Sequence, residues 1–87
     1  MCLTYREFRA EVGDRIRAAR VKRNLSRFTL GEAAGLTISD ILTIERGYRI
    51  PTVKTLIMIC ERLDVPLADI FAGLPIPELT PEQRRSV

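Results

Sequence analysis

The side chains with the most chemistry to offer are arginines, and they are unevenly spread. Residues 1–30 carry eight bases, Arg6, Arg9, Arg15, Arg17, Arg20, Lys22, Arg23 and Arg27, against three acids. Residues 31–60 balance three bases with three acids, and residues 61–87 hold three bases against five acids. A basic front and a mildly acidic back suit a face laid on a polyanion, and equally a basic helix that is merely solvated. Other chemistries lack their residues. Histidine is absent, which removes the commonest general base and a common metal ligand. Cys2 and Cys60 are too few for a four-ligand zinc site and read as unpaired reduced thiols. Gly31 and Gly35 do not have the spacing of a phosphate loop and read as a packing contact and a turn. No nucleophile has a base partner in any motif, so the expectation is no enzyme, no cofactor and no metal.

The elements that must position these arginines are helices. Eighty-seven residues make one domain, and 46% apolar with 29% charged is an ordinary globular mix. No run of about 18 apolar residues is present, so no membrane span is expected. The start of the chain shows no charged-then-apolar export signal, which makes the cytoplasm the expected compartment. Thr4 and Glu7 form an S/T-x-x-E capping box, placing a helix start near Tyr5. Phe8, Val12, Ile16 and Ala19 recur on one face of that helix, and Asn24 suits a left-handed stop. Gly13 weakens its middle and can let another helix approach. Ser26 caps a second helix running to about Ala34, with Leu30, Ala33 and Ala34 inward. Thr37 and Asp40 open a third, Ile38–Arg46, with Ile41 and Ile44 inward and Gly47 after its end. Thr52 caps a fourth, Val53 to about Leu63, with Val53, Leu56, Ile59, Cys60 and Leu63 inward. Pro66 suits the N1 position of a short fifth helix, Leu67–Phe71. The remainder, residues 75–87, is a Pro-rich tail in which Thr80–Gln83 can start one more turn. No strand pattern appears. The expected domain is therefore residues 1–74, an all-α compact bundle of five helices.

Several features now stand in one order: Val12-Gly13-x-x-Ile16-Arg17-x-x-Arg20, Leu25-Ser26, Leu30 and Gly35-Leu36-Thr37. They continue as Ile41-x-x-Ile44-Glu45-Arg46-Gly47, Pro51-Thr52, Leu56, Leu63-Asp64-Val65 and Ile70-Phe71. In this the chain resembles the helix-turn-helix domains of the Cro/C1/Xre family, the phage repressor and restriction-modification controller type, over roughly Val12–Phe71. The resemblance implies a lambda-repressor-like fold and a transcriptional regulator binding double-stranded DNA as a homodimer on a palindromic operator. Its third helix would lie in the major groove. A nucleoid-associated cytoplasmic location follows from that. Arg20 and Glu45 match an internal ion pair of the family, structural rather than base-reading.

Base readers by resemblance are Thr37, Ile38, Ser39 and Thr43, with Leu42 on the flank. Helix geometry agrees, because Ile41 and Ile44 inward turn 38, 39, 42 and 43 outward. Phosphate contacts are expected from Ser26 and Arg27, from Arg46, Tyr48 and Arg49, and from Arg17 and Arg23 on the first helix. Ile57, Met58, Leu67 and Leu74 are expected either to form the dimer interface or to cover the core under the tail. Some positions depart from the family pattern: Arg27 replaces a common glutamine, Gly31 an alanine, Ile38 a polar reader, and Asp40 brings an acid close to DNA. Phe28, Ile38 and Leu42 together offer a second use of the scaffold, as an apolar surface binding a protein partner.

Overall fold

The computed structural model describes residues 2–85. They form four α-helices, α1 (Tyr5–Lys22), α2 (Arg27–Ala34), α3 (Ile38–Glu45) and α4 (Val53–Leu63), followed by a 3-10 helix, Leu67–Ile70. Each α-helix starts where a hydroxyl can take an otherwise unpaired backbone N–H. Thr4 accepts from Glu7 N–H, Ser26 from Thr29, Thr37 from Asp40 and Thr52 from Thr55. At Thr4 and Thr37 the acid three residues on returns a bond to the cap N–H, completing a capping box. The ends follow equally local rules. Asn24 and Asp64 take left-handed backbone, as do Gly35 and Gly47.

The core is one cluster to which every helix contributes: Val12 and Ile16 from α1, Leu30 and Ala34 from α2, Ile41 and Ile44 from α3. Leu56, Ile59, Cys60 and Leu63 join from α4, and Ile70 from the 3-10 helix. Packing at one point is backbone to backbone. A Cβ on Gly13 would stand 2.5 Å from the carbonyl oxygens of Ile44 and Glu45, so the end of α3 rests directly on α1. Leu25, Leu36, Phe8 and Ala19 are partly buried around the cluster.

Three expectations are corrected. The fifth helix is a 3-10 turn with Pro66 as its cap rather than its first residue. Its bonds run Pro66 O to Asp69 N–H and Ala68 O to Phe71 N–H. Four residues are too few to establish an α-helical ladder, and the tighter turn serves such short pieces. Ala33 is exposed, because α2 turns Leu30, Gly31 and Ala34 inward and Ala33 falls off that face of the helix. Val53 is 69% exposed, because it lies in the first turn of α4, ahead of the turns that meet the core.

The tail returns to the start of the chain. Glu78 N–H donates to Leu3 O at 2.8 Å, the centre of an isolated parallel bridge between Thr4 and Glu78. Thr80 and Gln83 then exchange backbone–side-chain bonds, opening the extra turn the sequence allowed. A ring stack of Tyr5, Phe8 and Phe71, with centroids 6.4 and 6.1 Å apart, joins α1 to the residue after the 3-10 helix. No helix among the described residues is long and apolar enough to cross a membrane.

Candidate nucleic-acid interface

The site is built on α2, the turn at Gly35, and α3. Thr37 holds the start of α3 with its hydroxyl, which accepts from Asp40 N–H at 3.1 Å. The Asp40 carboxylate folds back to accept from Thr37 N–H at 2.9 Å and lies 3.4 Å from an Arg49 nitrogen. The Thr37 backbone N–H and then the Thr37 hydroxyl, with Arg49 adding less, lower the Asp40 pKa from the usual aspartate value. The acid that the sequence placed beside DNA is thus committed to the helix cap and to a cation. Arg49, expected on a phosphate, runs back along α3 to reach it.

The expected readers divide by environment. Thr37, Ile38 and Ser39 are exposed, whereas Leu42 and Thr43 are half-buried. Thr43 Oγ1 donates to Ser39 O at 2.8 Å, so its hydroxyl proton is spent and lone pairs remain. Ile38 is 52% exposed and Phe28 57%, a large apolar presence for a polar face. Ile41 and Ile44 are buried beneath them, so α3 presents the outer set that its period requires.

Behind α3 stands a buried charge network. Glu45 is 4% exposed and Arg20 8%. Arg20 Nε donates to Glu45 Oε2 at 2.6 Å and its Nη2 to Oε1 at 3.2 Å, a bidentate pair, while Nη1 donates to Leu25 O at 2.8 Å. Arg27 adds a third donor, Nε to Glu45 Oε1 at 3.0 Å. The sequence offered Arg27 only as a phosphate contact. It also braces α2 against the end of α3, and the signal for that, a base opposite Glu45, is invisible without the fold. Ser26 likewise spends its oxygen as the α2 cap, donating to Thr29 Oγ1 at 3.0 Å as well.

The other basic candidates scatter. Arg46 and Tyr48 are exposed beyond α3. Arg17 is exposed on α1 with no ion pair among the described residues. Arg23 donates to Asp64 O at 3.2 Å and meets its carboxylate at 3.6 Å, so it ties α1 to the end of α4 rather than flanking α3. Among the dimer candidates, Ile57 (50%) and Leu67 (39%) are exposed. Met58 and Leu74 are instead packed on their own chain's core, which leaves only part of their surface for a partner. Arg15 Nη1 donates to Ala72 O at 2.6 Å, and at longer range to Asp69 O and Ile70 O, clasping the 3-10 helix and the turn after it to α1, a contact between distant segments that no sequence pattern marks.

Two short helices joined at a left-handed glycine, with the second presented outward and braced from behind, define a helix-turn-helix protein of the DNA-binding regulator class. A helix-turn-helix family model, HTH_3, matches residues 16–70. The chain belongs to this family, of Cro/C1 type. It is similar in structure to the restriction-modification controller protein C.AhdI from Aeromonas hydrophila, at 29% identity and TM-score 0.68, covering 71% of this chain and 94% of that one. It is similar to the P22 c2 repressor, solved with a synthetic operator, at 27% identity and TM-score 0.67, with the same 71% and 94% coverage. PlcR from Bacillus thuringiensis, solved with the peptide PapR7 and DNA, matches at 27% identity and TM-score 0.70 over 77% of this chain but 24% of that protein. No curated protein sequence matches the chain.

Proposed function

We propose that the chain is a sequence-specific transcriptional regulator that binds duplex DNA as a homodimer, with α3 in the major groove. The observation that carries this is the mounting of α3. Its inner face is anchored by Ile41, Ile44 and the Glu45 network, and its outer face offers Thr37, Ile38, Ser39, Leu42 and Thr43. Rigid presentation of a short helix is what base readout needs, because phosphate contacts set register while side chains on the helix discriminate. Ser and Thr lone pairs accept from base amino groups, and Ile38 and Leu42 suit thymine methyls. The α2 N-terminus with Arg27, and Arg46, Tyr48 and Arg49 beyond α3, supply phosphate contacts on either side. Likeness to a repressor solved in complex with a synthetic operator supports the same reading. A cytoplasmic, nucleoid-bound location and a dimer through Ile57 and Leu67 belong to this proposal.

Selection from random duplexes tests it. The expected result is an enriched two-fold symmetric motif, with affinity falling steeply as salt rises. Recovery of unenriched sequence at moderate salt would sink it. A second reading, a protein-binding module, draws on the exposed Phe28 and Ile38 beside Leu42. It expects a partner that is lost on Ile38→Asp or Leu42→Asp, and partners retained by both variants would exclude it.

A further inference from the structure

One basic cluster sets two arginines of α1, Arg6 and Arg9, beside Arg46 and Tyr48. Arg6, Arg9, Ala10, Arg46, Gly47 and Tyr48 line an open cleft between the first turns of α1 and the turn that follows α3. Gly47 closes it from behind. A Cβ at Gly47 would come within 2.6 Å of Ala10 Cα, so the turn lies directly on α1. Arg9 is held in place from two sides: its Nε donates to Gly47 O at 3.1 Å, and its guanidinium sits 4.9 Å over the Tyr5 ring. Its terminal nitrogens are left for another acceptor.

The charges in this cleft are not balanced. Arg15, Arg20, Arg23, Arg27 and Arg49 each face a carboxylate. No acid lines the cleft, and among the described residues Arg6, Arg9 and Arg46 form no ion pair. Three like charges around one opening repel each other, and a shared anion relieves that repulsion. Planar guanidinium groups match phosphate oxygens in a bidentate manner, and the Tyr48 hydroxyl adds a neutral donor. Position supplies the identity of the anion. Arg46 is the C-cap of α3, so the cleft opens immediately past the end of the presented helix.

We propose that this cleft is a phosphate site for the backbone of the bound duplex, just outside the segment facing α3. Arg6 and Arg9 form its α1 half, and Arg46 and Tyr48 its other half. The proposal rests on the DNA-binding reading above and extends it to a part of α1 that precedes residue 16, where the family match begins. The first turns of α1 thereby gain a binding role in addition to their packing.

The test uses the full chain and two variants, Arg46→Gln alone and Arg6→Gln with Arg46→Gln, that leave the packed Arg9 untouched. Affinity for a selected duplex is measured over a salt series. Adding Arg6→Gln to Arg46→Gln is expected to reduce the log–log salt slope by a further increment of about 0.9, the share of one contact, with equal loss on a scrambled duplex. Single neutral methylphosphonates are then placed along the duplex backbone. At least one flanking position is expected to weaken the unaltered chain and leave the double variant unmoved, a readout that holds even if the variant is less stable. A slope no lower in the double variant than in Arg46→Gln alone, or equal weakening of the unaltered chain and the double variant at every position, overturns the cleft while leaving DNA binding intact. Failure of the unaltered chain to bind any duplex overturns both.

Discussion

Glu45 concentrates more of the interface's organisation than any other single residue. It is a buried carboxylate facing two arginines that differ in their surroundings, and the difference sets their weights. Arg20 is buried and bidentate, so Glu45→Gln strands its charge and Arg20→Ala leaves the buried Glu45 only the partly exposed Arg27, and each is expected to cost about 3–5 kcal/mol. The Arg27 side chain is 34% exposed, so solvent screens its share, and Arg27→Ala is expected to cost only about 0.2–1 kcal/mol. Chemical denaturation of the three variants checks the ranking, and equal losses would refute it. Thr43 is a residue of the opposite kind. With its proton given to Ser39 O, it can only accept from a base. Thr43→Val keeps the shape and removes the oxygen. A repeated duplex selection is expected to show preference relaxed at one base position, by about 1–3 kcal/mol, with stability nearly unchanged.

At the scale of elements, α3 is fixed at both ends by different means. Its start depends on the Thr37–Asp40 box, whose carboxylate has a lowered pKa. A lowered carboxylate pKa contributes stability that is full above the ordinary aspartate value and is lost as pH falls through the folded one. Acid titration followed at the Thr37 amide should therefore show α3 fraying from its start only below the usual aspartate range, and Asp40→Asn should remove that transition. Its end depends on the contact with Gly13. Helix propensity alone would make Gly13→Ala stabilising by about 1 kcal/mol. The added methyl would stand 2.5 Å from two carbonyl oxygens, and these belong to backbone that cannot yield without moving α3. Overpacking of about 1–3 kcal/mol wins, so Gly13→Ala should lower the melting temperature. A rise would show that α1 and α3 are less closely apposed than described.

For the whole molecule, the distribution of surface is informative. The braced face of α3 and the free arginines of the cleft meet at Arg46, while the exposed apolar residues Ile57 and Leu67 belong to α4 and the 3-10 helix. A chain this short buries only about 60% of its unfolded surface, and a second copy covering Ile57 and Leu67 would add to that. Ile57→Asp is expected to shift sedimentation from dimer to monomer and to weaken binding to a two-fold symmetric duplex far more than to a half-site. A monomer before substitution would remove the homodimer from the proposal. The tail acts elsewhere, on the start of α1 through the Leu3–Glu78 bond.

Much of this was legible in the residues alone, because it is local. Hydroxyls before apolar periods set all four α-helix starts, left-handed Asn24 and Gly47 marked their ends, and the inward sets 12/16, 41/44 and 56/59/60/63 fell where their periods put them. The ordered motif was enough to indicate the family. The tertiary structure alone decided what depends on distant segments. That includes Arg27 as the second arginine on a buried carboxylate, Arg15 as a clasp, Asp40 paired with Arg49, and Arg9 laid against Gly47. A long flexible arginine has no periodic signature and can reach many acceptors. Which one it meets is set by packing between helices, and between α1 and the end of α3 that packing depends on Gly13 and Gly47, whose missing side chains let the backbones meet.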